Sequence, residues 1–114
     1  MSLEVDPSFT AAMYLLEERV RQRRDEGWTP EHDDEHTDGE LATAAYCYAV
    51  HASFTDVDRE VLSGEGFTPP SWPWEPASWK PSDRKRELVK AGALILAEIE
   101  RLERAELAAG GPVG

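Results

Sequence analysis

The chain has 114 residues, which suffices for one domain that buries a core without a disulfide or a metal. Its 23 acidic and 12 basic residues give a formal charge of −11, which disfavours direct binding to nucleic acid and anionic membranes and permits a basic protein partner or a cation. A single cysteine, no basic or apolar leader in residues 1–9 and no long apolar run predict a cytoplasmic location.

The first predicted helix covers residues 8–26. Its apolar residues recur at i, i+3, i+4, i+7 and i+11, the pattern of an amphipathic helix whose apolar face packs against the rest of the protein. This face consists of Phe9, Ala12, Met13, Leu16 and Val20. Gly27 is a typical residue just past a helix end.

An acidic segment, GWTPEHDDEHTDGE, covers residues 27–40 and contains His32 and His36. Thr37 and Glu40 have the spacing of a capping box, which predicts a second helix over residues 37–52. Negative charge at a helix start is stabilised by the helix dipole by roughly 0.3–1 kcal/mol per charge. Part of this acidic character is therefore explained by helix capping alone.

A loop rich in proline and tryptophan covers residues 63–82 and holds five prolines and three tryptophans. Proline removes a backbone donor and fixes φ, so neither a helix nor a strand is expected to continue through it. Three indoles predict an ordered loop that is anchored on the helices. Residues 55–62 before it have the pattern of a short helix.

The last predicted helix is long and covers residues 82–110. Its apolar residues recur with spacings of 4, 3, 4 and 3, which is typical of a seam between helices. They are Leu88, Gly92, Ile95, Ile99 and Leu102. The second half of this helix is predicted either to extend from the domain or to pack against another copy, as a homo-oligomer.

These elements predict an all-α fold, a compact bundle of three main helices with a short fourth one and an ordered Trp/Pro-rich loop before the long C-terminal helix. Residues 1–109 are predicted to form one helical domain, and residues 110–114 a flexible tail.

The motifs of a metal or an enzyme are incomplete. His32 and His36 lack the H-E-x-x-H pattern, and one cysteine does not make a structural zinc site. The carboxylate signature of magnesium-dependent nucleotide hydrolases fails, because Arg21 and Arg101 stand where a glutamate and an aspartate are required. That activity remains a second alternative.

Cys47 and His51 are four residues apart on one predicted helix, as a thiolate–imidazolium pair would be, but a buried cysteine on an alanine-rich face explains the pattern better. The sequence thus predicts no catalytic residue, metal or cofactor, and favours binding over catalysis.

The leading prediction is a site for a small anionic ligand of nucleotide type, formed by the Trp/Pro-rich loop, the start of the last helix and the acidic segment. Indoles offer stacking faces, and cations at a helix start favour anions. The predicted ligand-binding residues are Trp28, His32, Asp33, Asp34, His36, Trp72, Trp74, Trp79, Lys80, Arg84 and Lys90.

Two further readings stay open at this point. Lys90 either faces inward, where it needs a partner, or lies on the polar side of its helix beside Arg86 and Glu87. The alternative function is an acidic inhibitor or nucleic-acid mimic that engages a basic host protein.

The sequence contains GWT at 27–29, HDD at 32–34, GEL at 39–41, WPW at 72–74, WKP at 79–81 and an apolar pattern over 88–102. In these motifs the chain resembles a family of small phage and prophage proteins over roughly residues 17–105. The resemblance implies a mobile-element origin and an accessory role, with no assigned reaction. GWT followed by a paired DD and a histidine is also similar to the ryanodine-receptor repeat domain, which implies nucleotide-type ligands. We expect the predicted ligand binding to modulate host defence signalling.

Overall fold

The computed structural model describes residues 6–110, and all structural statements concern these residues. They form helices and no strand, which confirms the predicted all-α fold. Expectations for residues 1–5 and 111–114, including most of the predicted tail, lie outside the described residues. The helices are α1 (Pro7–Asp25), α2 (Pro30–Asp33), α3 (Glu40–Ser53), α4 (Asp56–Gly64) and α5 (Arg84–Ala108), with a 3₁₀ turn at Pro76–Ser78.

Four of the five helices begin at a side-chain cap. Asp6, Thr29, Thr55 and Asp83 each accept a hydrogen bond from a backbone N–H of the first turn. The start of α3 differs from the predicted capping box. Its N-cap is Gly39, whose φ of 81° turns the chain into the helix without a side-chain cap.

The hydrophobic core lies between α3 and α5. Small residues on both helices let their backbones approach closely, and indoles from the Trp/Pro-rich loop cover one end of the contact. This confirms the prediction that the loop is ordered and anchored by tryptophan. The core consists of Leu41, Ala44, Ala45, Cys47, Tyr48, Trp72, Trp79, Ala91, Leu94 and Ala97.

The packed face of α1 is not the apolar one that the sequence predicts. Phe9, Leu16 and Val20 are 60%, 55% and 55% exposed. The face that meets α5 carries Leu15 and three buried polar residues, Glu18, Arg19 and Gln22.

Ion pairs and a close approach explain this orientation of α1. Arg19 pairs with Asp33 of α2 at 2.5 Å, and Glu18 pairs with Arg86 of α5. Leu15 lies against Gly92 of α5, where an added Cβ would clash with the leucine side chain. Glycine at this position therefore lets α1 lie close to α5.

Helix α4 has no buried residue. Its main link to the core is Arg59, which donates to Glu87 at 2.6 Å and to the carbonyl of Ser82 at 2.9 Å. No helix within residues 6–110 is long and apolar enough to cross a membrane.

Candidate functional site

Four aromatic rings from two distant segments meet beside the end of α1. His36 lies 5.2 Å from Trp74 and 4.8 Å from His32, and Trp28 lies 5.8 Å from Trp74, between ring centroids. With Ser78 they line a cavity of about 180 Å³. We call this cavity the aromatic lobe.

Two polar atoms of the aromatic lobe have no hydrogen-bond partner within residues 6–110. They are Nε2 of His36 and Nε1 of Trp74, and both are buried. The other ring nitrogen of His36 is 3.3 Å from Oε2 of Glu40. Buried polar atoms are normally hydrogen-bonded, so these two are exceptions in the wall of the aromatic lobe.

A second cavity of about 190 Å³ adjoins the first, and Trp28 and Ser78 line both. We call it the lysine lobe, because Lys80 and Lys90 lie in its wall. Its other lining residues come from α1, α3 and α5, and they are Glu18, Arg21, Gln22, Glu26, Tyr48 and Leu94.

The lysine lobe also contains an orphan acceptor. Gln22 is 2% exposed, and its Oε1 has no partner within the described residues. Its amide nitrogen lies 3.5 Å from Glu18, whose carboxylate is bound by Arg21. Burial alone would raise the pKa of Glu18, but the hydrogen bonds from Arg21 and Arg86 outweigh it and lower that pKa.

Lys90 is partly buried and faces the lysine lobe, which answers the question left open by the sequence. Its Nζ donates to the backbone carbonyl of Lys80 at 2.7 Å and lies 5.4 Å from the centroid of the Tyr48 ring. Burial lowers the pKa of Lys90, and the nearby charge of Arg86 lowers it further. An anion beside Nζ would oppose both effects.

The lysines differ from the arginines in how their charges are used. Each of the nine arginines pairs with a carboxylate within residues 6–110. Lys80, Lys85 and Lys90 form no such pair among the described residues. Two of these three cations line the lysine lobe, and Lys85 lies elsewhere, 4.7 Å over the Tyr14 ring.

Trp72 and Trp79 lie in the core and line neither lobe, although the sequence order places them with the site. They are 9% and 6% exposed. Trp79 stacks on Tyr48 at 4.6 Å, and Nε1 of Trp72 donates to Ser78 at 2.9 Å. These two tryptophans hold the loop in place, so that its residues Trp74, Ser78 and Lys80 line the two lobes.

Arg84, Asp33 and Asp34 are also engaged in structural contacts. Arg84 donates to the carbonyl of Ala52 at 2.8 Å, at the end of α3. Asp33 is fully buried against Arg19, and Asp34 pairs with Arg104 of α5 at 2.9 Å. The acidic segment is thus fixed to α1 and α5 by these pairs.

Residues 6–110 contain no group of three or more His, Cys, Asp or Glu side chains that could hold a metal ion.

Six of the eleven predicted residues line the two lobes, namely Trp28, His32, His36, Trp74, Lys80 and Lys90. The prediction did not include Gln22, Arg21, Tyr48 and Ser78. Gln22 and Arg21 were missed because the apolar stripe on the opposite side of α1 predicted the wrong packed face. Tyr48 was missed because, as the one aromatic residue on a face of small residues, it was interpreted only as part of the core.

A second buried polar cluster lies on the other side of Trp79. Glu87 is fully buried, and its carboxylate is 2.9 Å from Nδ1 of His51 and 2.6 Å from Arg59. Cys47 lines a cavity of about 130 Å³ together with His51, but burial raises the pKa of its thiol. A raised pKa opposes a reactive thiolate, so this pair agrees with the structural interpretation of the sequence.

No family model, curated protein or solved structure matches this chain.

Proposed function

We propose that the protein binds a small anionic ligand of nucleotide type in the crevice formed by the aromatic and lysine lobes. The observation that carries this proposal is the position of Lys80 and Lys90, two cations without a carboxylate partner in the described chain, beside an aromatic cavity. Stacking faces next to cations are what a base joined to a phosphate requires.

The base occupies the aromatic lobe. Trp28 and Trp74 offer ring faces, and His32 and His36 line the same cavity. Stacking of a base on an aromatic ring contributes roughly 1–3 kcal/mol in single-stranded nucleic-acid binders.

The anionic group occupies the lysine lobe. Binding of an anion raises the depressed pKa of Lys90, so binding takes up a proton when the pH lies above that pKa. Affinity then falls as the pH rises through the pKa of Lys90. Lobe volumes of about 180 and 190 Å³ place the crevice at the lower end of small-molecule sites, which are roughly 300–1,000 Å³.

The resemblance to phage and prophage proteins suggests a setting for this binding. A mobile-element protein that sequesters a nucleotide-type signal would weaken a host defence that depends on that signal. This role requires no catalysis, in agreement with the absence of a recognised catalytic motif in the sequence.

The proposal is tested with a panel of nucleoside mono-, di- and triphosphates and dinucleotides. Binding of each compound is measured by the shift in melting temperature and by the change in tryptophan fluorescence. We expect at least one member to raise the melting temperature and to change the fluorescence, because Trp28 and Trp74 lie in the aromatic lobe. Lys90→Met should weaken binding about tenfold or more, since a charge-assisted contact is lost.

Lys85→Met is the matched control, because Lys85 also has no carboxylate partner in the described chain but lies outside both lobes. It should leave the affinity unchanged. Equal weakening by Lys85→Met and Lys90→Met would show a general charge effect and overturn the proposal. Failure of the whole panel to shift the melting temperature would overturn it as well.

A second candidate function is that of an acidic inhibitor or nucleic-acid mimic. It is favoured by the pairing of the arginines within the chain, which leaves exposed carboxylates such as Asp58, Glu60 and Glu65 uncompensated on α4 and just beyond its end. A basic host protein captured in this way should be released by salt and displaced by DNA. A complex that is indifferent to both would exclude this function.

A further inference from the structure

Two apolar stripes remain on the outside of the folded chain. The α1 stripe consists of Phe9, Met13, Leu16 and Val20, which are 38–60% exposed. The α5 stripe consists of Leu88, Ile95, Ile99 and Leu102, which are 47–51% exposed. Because α1 contacts α5 through its opposite, polar face, the chain's own fold leaves the α1 stripe without a partner.

The molecule exposes more surface than a compact monomer of its size. Its accessible surface is 7557 Å², about 1,300 Å² above the roughly 6,200 Å² expected for a monomeric protein of 12.7 kDa. Its radius of gyration is 16.2 Å, whereas about 13 Å is expected for a compact chain of this length. A stable protein–protein interface buries about 800 Å² on each partner, which is less than this excess of the whole chain.

We propose that a second copy of this chain covers the stripes, with the α1 stripe of each copy packed on the α5 stripe of the other around a two-fold axis. The two stripes match in length, about 16 Å from Phe9 to Val20 and about 21 Å from Leu88 to Leu102 at 1.5 Å per residue. The α1 stripe has the spacing i, i+4, i+7 and i+11, and the α5 stripe has the spacing i, i+7, i+11 and i+14, with Gly92 at its i+4 position covered by Leu15 of α1. Both spacings place the residues on one face of a helix. Such an interface is isologous and closed, so both stripes are buried by a single contact type.

The arginines beside the stripes are already paired with carboxylates of the same chain. Beside the α5 stripe, Arg101 pairs with Glu98 at 2.5 Å and Arg104 with Asp34 at 2.9 Å. Beside the α1 stripe, Arg23 pairs with Glu100 at 2.6 Å. These three arginines are satisfied within the chain, so they do not select an acidic partner.

Salt dependence separates this contact from a charge-driven one. Two copies of formal charge −11 repel each other, and salt screens that repulsion. Dimerisation through apolar stripes should therefore strengthen as the salt concentration rises. The crevice lies on the side of α1 opposite its stripe, so ligand binding and dimerisation can fail independently.

The experiment is sedimentation equilibrium of the full chain over a range of concentrations and salt. The wild type should approach twice the 12.7 kDa of one chain. Leu16→Glu and Ile99→Glu should each raise the dissociation constant more than tenfold, because either change places a carboxylate in a desolvated seam. Val57→Glu is the control, since Val57 is 69% exposed on α4 and outside both stripes.

Circular dichroism of each variant confirms that the helices are kept. A wild type that stays at the mass of one chain at every concentration overturns the proposal, as does a dimer that dissociates when salt is added. A dimer that survives Leu16→Glu overturns the reciprocal packing.

Discussion

The contact of α5 with α3 and its contact with α1 use different chemistry. The α3 side is mainly apolar and aromatic, with Leu41 and Leu94 at 0% and 1% exposure, and it includes one buried polar contact, between Glu87 and His51. The α1 side buries Glu18, Arg19 and Gln22 instead. One helix thus has a contact driven by the removal of apolar surface from water and another that depends on paired charges. The comparison shows that an amphipathic helix need not bury its apolar face when its polar face finds fixed partners.

The largest expected effect is in the apolar contact. Leu94→Ala should lower the free energy of unfolding by about 2–5 kcal/mol, because a buried leucine leaves a cavity. Leu107→Ala on the same helix is the matched control, since Leu107 is 70% exposed and should change stability by about 0.5 kcal/mol or less. Urea unfolding followed by circular dichroism measures both. Equal losses would show that α5 is not packed as described.

The polar contact should respond differently to single and double changes. Asp33→Ala removes the fully buried partner of Arg19 on α2 and leaves Arg19 with Glu100 of α5 at 3.1 Å, so it should cost about 1–3 kcal/mol. Arg19→Met combined with Asp33→Leu should recover most of that loss, since two apolar groups of similar size replace the pair. Urea unfolding of the single and double variants measures the coupling. Additive losses would mean that the pair does not act as a unit.

Alkaline pH should weaken the apolar contact. Burial raises the pKa of Tyr48 to about 12 from the ordinary value of 10.0 for tyrosine. Between these values the unfolded chain loses the phenol proton and the folded chain keeps it, so stability falls as the pH rises. The loss attributable to this group is about 2–3 kcal/mol at the upper end of the range. Unfolding of the wild type and of Tyr48→Phe from pH 9 to 12 should diverge in this direction, and parallel curves would contradict it.

Lowering the pH should weaken the contact of α1 with α5 before the contact of α3 with α5. Of the changes described here, it should have the smallest effect on the free energy of unfolding of the whole protein. Burial would raise the pKa values of Glu18 and Glu100, but their arginine partners outweigh burial and lower both. Stability from these groups is complete above their ordinary pKa of 4.5 and is lost as the pH falls through the lowered values.

Hydrogen exchange at successively lower pH, corrected for the intrinsic exchange rate, should therefore show α1 losing protection before α3. Glu100→Gln should move that loss to higher pH, because the charge that binds Arg23 is already removed. Simultaneous loss of protection in both helices would contradict a separate polar contact.

The sequence by itself determined the helices and the character of the loop. Residues 8–26 were predicted for α1, which is observed at Pro7–Asp25, because apolar periodicity and Gly27 are local signals. The start at Gly39 and the single turn of α2 were missed, since both are fixed by backbone conformation and by the Arg19–Asp33 pair. Proline and tryptophan in residues 63–82 were sufficient to predict an anchored loop.

Only the tertiary structure decided which faces and which side chains meet. A stripe such as Phe9 to Val20 reports that a helix is amphipathic, but not whether the chain itself or a partner covers it. The three indoles of the loop are alike in sequence, yet Trp72 and Trp79 enter the core and Trp74 lines the aromatic lobe. Lys80 and Lys90 line one lobe because the loop returns to α5 beside α1. Such contacts depend on residues far apart in the chain, so no local pattern in the sequence could specify them.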